Sequence, residues 1–347
     1  GNPNLKPERI DEIECGVEGR FFNNRLRMDL SIYNKKTNDL IISRPLDPST
    51  GYTSTQTNIG LIENKGVELD LSMDWIQSDD GINFSTSLNW STNDAIVIDL
   101  GEDTDRIVYA GFGTLGNAAI PGESLGSIIG SSITRVGATI ENSRWVGGDG
   151  GLAVNNQGSY DETFDPTIIG DANPDWIANI SNSLSYKNLS LNFLFNFQAG
   201  GDIYSTTVAT LLGRGLTTDT LDRELSFILP GVNNGQPNNK QINNSTFYFS
   251  NVLYGPDEMR MYDATHWRLG EVSISYSLPK SLIDNTPFGN ISITASGFNL
   301  FYDAINMPDG TNFDPNIAGV GVGNGRGFDF LNGPSAKRYG ASVKLTF

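Results

Sequence analysis

Side chains suited to covalent or acid–base chemistry are scarce in this chain: its 347 residues include one histidine, His266, and one cysteine, Cys15. A Ser-His-Asp or Cys-His relay needs an imidazole held between a nucleophile and an orienting carboxylate. His266, beside Trp267 at a strand start, offers no convincing partner in sequence. Zinc sites of the Cys/His type need several of these ligands, and one of each is too few. Cys15 cannot form an intrachain disulfide, so sulfur chemistry does not report the compartment. The segment NMPDGTNFDPN (306–316) has the closely spaced oxygen ligands and glycine that calcium favours. It lacks the twelve-residue EF-hand spacing with its closing glutamate and reads instead as a solvated loop. The inventory argues against an enzyme, with no catalytic residue, metal or cofactor expected.

Non-covalent recognition is better supplied. Phe112, Trp145, Tyr160, Phe164 and Tyr254, with Phe247, Tyr248 and Phe249, stand in polar, glycine-rich stretches. There they could stack on sugar faces or peptide side chains, or pack the loops that carry them. The net charge of -17, concentrated in GEDTDR (101–106) and DETFD (161–165), disfavours a nucleic-acid phosphate backbone as partner. It suits a solvated exterior, or an acidic vestibule that gathers cations.

The elements that must position these groups are strands. Apolar and polar residues alternate in one segment after another, as in Leu26, Met28, Leu30 and Ile32 against Arg27, Asp29 and Ser31. In KNLSLNFLFNFQ the residues Leu189, Leu191, Phe193, Phe195 and Phe197 share one face and Leu194 breaks the pattern. Nine such strands are expected, the first within ERIDEIECGVEGRFF and the last in YGASVKLTF. Cys15 falls on the apolar side with Ile13 and Val17, which suits lipid-facing filler.

Phe21, Trp75, Trp90, Trp176, Tyr186 and Phe347 stand near strand ends on that side, the pattern of aromatic girdles at two membrane interfaces. Short turns (FFNNR, QSDDG, YKN) and the moderate PKSLIDNTPFGN alternate with far longer connections. That is the asymmetry of outer-membrane barrels, with the short side periplasmic and the long loops extracellular. No run of ~18 apolar residues is present to form a transmembrane helix. No signal peptide is visible at Gly1. Nine strands cannot close an up-and-down antiparallel barrel, so further strands are expected from upstream residues or from another chain.

Several motifs carry a family resemblance. NPNLKPER at the start and TNIGLIENKGVELDLSMDW after it are similar to segments of TonB-dependent receptors. IPGESLGSIIG, GDANPDWIANISNSLSYKNLSLNFLFNFQAGGD, WRLGEVSISYSLPKSL, SGFNLF and GPSAKRYGASVKLTF resemble, in order and spacing, the SusC/RagA-like group of these transporters. The resemblance runs through nearly the whole chain. It implies that residues 1–347 are the C-terminal nine strands of an all-β, transmembrane antiparallel barrel of 22 strands. The plug domain and N-terminal strands would lie upstream. It further implies import of an oligosaccharide or oligopeptide across a bacterial outer membrane, a SusD-like surface lipoprotein as lid, and coupling to the TonB complex through the N-terminal part. Outer-membrane lipid and the barrel assembly machinery are the other expected partners, with Phe347 as the assembly signal at a periplasmic C-terminus. A non-transporting docking platform for surface or secreted proteins is the alternative reading.

Overall fold

In a computed structural model, which describes residues 2–45, 48–52, 54–58, 60–101, 104–148, 150–317 and 325–347, nine strands form one antiparallel sheet. They are β1 (Arg9–Phe21), β2 (Leu26–Asn38), β3 (Leu61–Ile76), β4 (Ile82–Asp99), β5 (Trp176–Tyr186), β6 (Leu189–Ala199), β7 (His266–Ser277), β8 (Asn290–Asp303) and β9 (Arg338–Thr346). Each pairs with its neighbours in chain order, so the sheet is a meander with β1 and β9 at its two ends. All nine strands expected from alternation are present. No helix among the described residues is long and apolar enough to cross a membrane, a statement that leaves strands untouched.

Register explains why the alternation is so regular. Val17, Leu30, Leu69, Trp90, Ala178 and Phe197 stand opposite one another across six strands, as do Gly19, Met28, Leu71, Leu88, Ile180 and Phe195. One continuous apolar face results. Because a slip of one residue would send every side chain to the other face, burial of this face in an apolar medium fixes the register. Large aliphatic side chains remain exposed along it, including Ile13, Val17, Ile32, Ile274, Ile293 and Val343. A face this broad and this apolar suits the lipid-facing band of a β-barrel.

Two departures from the alternation have local causes. Leu194 points to the polar face opposite Glu271, and at that point the β6–β7 and β7–β8 registers both shift by one residue, leaving Gly270 as the extra residue of a bulge. A Cβ at Gly270 would collide with Oδ1 of Asn196, so a larger residue there needs that side chain to move. Trp90 does not lie at a strand end: β4 runs on for nine more residues to Asp99 and pairs with an equally prolonged β3. Polar positions such as Asn93 and Asp94 hid this continuation, because beyond the apolar band a strand no longer needs to alternate.

The hydrophobic core lies in the long connections and not in the sheet. Of the largest fully buried side chains, Tyr204, Phe328, Leu100, Ile120, Ile128, Ile129, Ile203 and Val208 belong to connections, while Val97 sits at the loop end of β4. The connection after β4 folds into a four-stranded sheet of Glu162–Asp171, Ser127–Ile133, Leu115–Ala119 and Ile107–Phe112. The connection after β6 carries the helix α1 (Thr206–Gly213), whose N-cap Ser205 accepts a hydrogen bond from the Val208 N–H at 3.1 Å. Sequence patterning missed these elements for a physical reason: Leu115–Ala119 and Ser127–Ile133 are buried at every position, so neither shows a period of two.

A candidate ligand-binding wall on the polar face

The polar face is the one that the long connections cover. Val97 and Ala95 share it with Asn89 and Asn93 and both are buried; Val97 packs in a cluster with Leu100, Ile107, Ala119, Tyr109 and Leu125, while residues 120–125 bond to the edge of β4 through Gly122 N–H to Val97 O (2.7 Å), Val97 N–H to Glu123 O (2.9 Å) and Leu125 N–H to Ala95 O (2.8 Å). Farther along the sheet, Arg268 of β7 holds Asp314 of the last connection at 2.5 Å, with both side chains almost wholly buried. A sheet whose polar face is roofed at one end by its own loops has that face turned toward the barrel interior.

The interior face is organised in rows. One row reads Glu18, Asp29, Asp70, Asn89, Asn179, Asn196, Arg268 and Tyr302 across eight strands. Within it Asn89 donates to Asp70, and Asn196 donates to Asn179 at 2.6 Å. Toward the short turns the wall narrows to small hydroxyls, such as Ser72, Ser87, Ser181, Ser183 and Ser273.

Three of the long connections interlock into a single layer. Asp257 and Glu258, after β6, accept the backbone N–H groups of Ser131 (3.1 Å) and Ile133 (3.0 Å), after β4. Asp329, after β8, is fully buried and takes the Ser205 hydroxyl (2.7 Å), the Thr207 N–H (3.0 Å) and the Asn332 N–H (2.9 Å). It thereby ties the start of α1 to the last connection. Tyr204 packs between Phe328 and Phe330, and its hydroxyl meets Asp257 and Arg260. Burial, more than the neighbouring Asp257, pushes this phenol up to about 12, so it stays protonated through physiological pH.

Between this layer and the wall lies a cleft of about 590 Å³. Ile41, Ile62, Ala95, Leu100, Ile107 and Leu125 supply aliphatic surface, and Glu8, Asn64, Asn93, Tyr109, Asn173 and Arg326 supply polar groups. Most of the polar groups are held in place: Asn93 donates to Tyr33 Oη (2.6 Å) and to Asn64, Glu8 accepts the Ile41 N–H (2.7 Å), and Asp171 accepts the Asn173 N–H (2.9 Å). Tyr109 donates to Leu125 O, and burial raises it to about 12. Apolar surface with a few fixed polar groups is the construction of a ligand pocket. A second hollow of about 460 Å³, lined by Asn179, Asn196, Gln198, His266, Arg268 and Asn316 among others, opens on the same face. His266 is buried there with Nδ1 2.7 Å from Ala264 O.

The aromatic residues singled out from the sequence as ligand contacts do not line the large cleft, and only those of residues 247–254 lie together. Phe112 is exposed and meets Phe330 edge-on at 5.5 Å. Trp145 donates to Ser132 Oγ (3.1 Å), with the Arg135 guanidinium 5.7 Å from its ring. Tyr160 is half-buried, its backbone N–H bonded to Asn251 Oδ1 (2.8 Å). Phe164 is 75% exposed. Tyr254 packs on Phe249 at 4.9 Å and accepts a hydrogen bond from Arg214 (3.1 Å). Phe247 and Tyr248 pack against the core around α1. The family motifs supply several cleft residues, namely Glu8 from NPNLKPER, Ile62 and Asn64 from TNIGLIENKGVELDLSMDW, Leu125 and Gly126 from IPGESLGSIIG and Asn173 from GDANPDW, but nothing in their spacing shows that they meet.

Segment 306–316 is solvated only in part: Asn306, Asp309, Gly310, Asn312 and Asn316 are exposed. Thr311, Phe313 and Asp314 are buried, and Asp314 pairs with Arg268 instead of helping to hold a cation. No cluster of three or more His, Cys, Asp or Glu suited to a metal occurs among the described residues. Of the acidic 101–106 segment, Glu102 and Asp103 lie outside the described residues. Of the expected girdle, Phe21, Trp75, Tyr186 and Phe347 stand at the short-turn end of the sheet and Trp176 at the long-loop end. Cys15 is exposed on the apolar face opposite Ile32.

Acidic residues crowd the base of the loop layer. Asp202 accepts the Asp171 N–H at 2.9 Å, and its carboxyl is raised, first by burial and further by Asp263, Asp171 and Asp175. A folded-state value above the unfolded one contributes stability below the ordinary carboxylate range, and this is lost as pH rises through the raised value. Asp202→Asn keeps an oxygen acceptor for Asp171 and removes the charge. It is expected to flatten the pH dependence of the protection factor of the Asp171 amide in hydrogen exchange, and an unchanged slope would exclude Asp202 as its origin.

Comparison with known proteins agrees with this architecture. A family model described as TonB dependent receptor-like, beta-barrel matches residues 1–128. The TonB-dependent receptor P3 of Formosa agariphila is 28% identical over 367 residues, covering 100% of this chain and 35% of that protein. The TonB-dependent receptor SusC of Bacteroides thetaiotaomicron is 24% identical over 207 residues, covering 58% of this chain and 20% of that protein. Among solved structures, the RagAB peptide transporter superposes over 100% of this chain and 36% of its own with a TM-score of 0.70 at 22% identity, which speaks for the fold. The chain thus spans about a third of the length of its full-coverage relatives. Its nine-stranded meander, lipid-suited apolar face and loop-roofed interior are those of an outer-membrane barrel; residues 1–128 belong to the β-barrel family of the TonB-dependent receptors, and the chain as a whole is similar to receptors of that family, SusC among them.

Proposed function

We propose that the whole receptor imports a large nutrient, an oligosaccharide or an oligopeptide, across the outer membrane in a TonB-dependent step, with a SusD-like lipoprotein as lid. The nine strands form the closing section of its barrel, the long connections face the exterior, and Phe347 is the aromatic presented to the assembly machinery. The observation that carries this reading is the cleft of about 590 Å³, walled jointly by barrel strands and folded loops on the interior face. Such a cleft holds a ligand at the mouth of the path that it must take. Phe21, Trp75, Tyr186 and Phe347 at one end and Trp176 at the other act as the two girdles, with Trp90 at the outer one. Tyr186 and Trp176 lie on one strand, roughly 33 Å apart at about 3.3 Å per residue, or about 23 Å along the membrane normal at a tilt of about 45°. That matches the apolar band of about 25 Å in barrels of this kind. The loop aromatics Phe112, Trp145, Tyr160, Phe164 and Tyr254 act mainly in packing.

The test is uptake of labelled oligosaccharides and oligopeptides by cells carrying the full-length receptor, with and without TonB. TonB-dependent accumulation of one class is expected, and Ala95→Trp, which fills the cleft, is expected to reduce it about tenfold or more. Lack of uptake for either class, with surface proteins still assembled on the receptor, would favour a docking platform instead.

A further inference from the structure

The chain has 40 acidic and 23 basic residues, so carboxylates outnumber cations. Arg214 and Arg223, in the connection after β6, are nonetheless held by neutral groups. None of the ion pairs between described residues involves Arg214 or Arg223. Both line one hollow of about 270 Å³ with Ser245, Thr246, Ser250 and Phe249. Arg214 lies 5.8 Å from the centre of the Phe249 ring and donates to the Tyr254 hydroxyl at 3.1 Å. Arg223 donates to Gly215 O at 3.1 Å. The acidic neighbours in sequence are Asp219, Asp222 and Glu224, none of which lines the hollow, and Asp222 is bonded to the Leu225 N–H at 3.1 Å. The two guanidiniums are thus oriented without being neutralised, so most of the ordering cost of binding a carboxylate is already met.

Close in sequence to residues that line the hollow stand exposed apolar side chains: Leu216, Leu221 and Leu225 are 66%, 80% and 54% exposed, and Phe249 and Tyr254 are also exposed. These residues lie on the loop layer, away from the lipid-suited face, so membrane does not cover them. Arginine and aromatic side chains amid exposed apolar surface compose the centre of a protein interface. A sugar ligand gains little from three separate leucines.

We propose that this patch docks the SusD-like surface lipoprotein, through an acidic anchor of that partner seated between Arg214 and Arg223 with apolar side chains over Leu216, Leu221 and Leu225. The inference rests on the reading that a lipoprotein lid covers the receptor, and adds where it is held and by what chemistry.

The experiment is co-purification in detergent of the tagged full-length receptor with its co-expressed SusD-like lipoprotein, across a salt series. Arg214→Glu with Arg223→Glu is expected to lower lipoprotein recovery about tenfold or more, as loss of paired interfacial charges does. Leu221→Asp alone is expected to lower it as well, and recovery with the native receptor is expected to fall as salt screens the anchor. Heat-modifiable migration of each variant reports that the barrel has folded, and Arg214→Gln with Arg223→Gln replaces the reversal if it has not. Full recovery of lipoprotein by folded charge variants overturns the docking site while leaving the lid in place. Absence of lipoprotein from the native receptor overturns both. Retained lipoprotein with lost binding of an acidic oligosaccharide, measured by calorimetry on the same variants, overturns the protein anchor and reassigns the hollow to cargo.

Discussion

Arginine in place of Ile180 is expected to cost the folded barrel about 2–4 kcal/mol in lipid, whereas arginine at the adjacent Ser181 is expected to cost little. The contrast follows from register. Ile180 stands opposite Leu88 and Phe195 on the apolar face, about midway between Trp176 and Tyr186, where lipid hydrocarbon would surround a guanidinium. Ser181 stands opposite Ser87 and Leu194 on the interior face, where water or polar groups can solvate the same cation. Urea titration of the full-length receptor folded into vesicles measures both. Equal destabilisation at the two positions would mean that the faces have been assigned the wrong way round, or that neither faces lipid.

That the same pair of residues can be picked from sequence shows where sequence is informative. In β5 and β6, Ile180 and Phe195 against Ser181 and Asn196 alternate because one side must match lipid and the other water, a demand that acts on every residue of the membrane-spanning stretch. The demand stops at the interface. Beyond it, in β4, Asn93 and Asp94 interrupt the pattern although the strand continues, so its end was misplaced and Trp90 with it. In the loop layer the apolar residues Ile128, Ile129 and Phe328 are buried on all sides, and the cluster of Ile128 and Phe328 draws on three different connections. A composition rich in Gly, Asn, Asp and Pro then looks solvated when it is packed. Aromatics such as Phe112 and Phe164 drew attention because stacking chemistry is visible one residue at a time. The cleft around Asn64, Asn93 and Tyr109 was invisible because it exists only where β3 and β4 meet residues 107–126.

Asp314 shows what such a hidden contact is worth. Its carboxylate accepts from Arg268 at 2.5 Å and from the Asn316 N–H at 3.1 Å, with 8% of the Arg268 side chain and 2% of its own exposed. Asp314→Ala removes the anion and leaves a buried guanidinium without a counter-charge, a change that costs about 3–5 kcal/mol. At about 1.36 kcal/mol per factor of ten, protection of amides near residue 314 in hydrogen exchange is expected to fall roughly 10²- to 10⁴-fold, up to the limit set by the local stability of the loop. The strands below should keep theirs. Arg268→Met together with Asp314→Leu removes both charges and fills a similar volume, so it is expected to restore most of the protection. If the double variant exchanges as fast as Asp314→Ala, packing around the carboxylate and not the stranded charge dominates. If Asp314→Ala leaves exchange unchanged, the last connection is not anchored to β7 through this pair. The anchor bears on transport because Arg268 and Asn316 line the hollow of about 460 Å³ beside Asn179 and Asn196. Releasing Asp314 frees the loop that roofs this part of the interior wall, which should make the wall more accessible to a maleimide directed at Asn196→Cys.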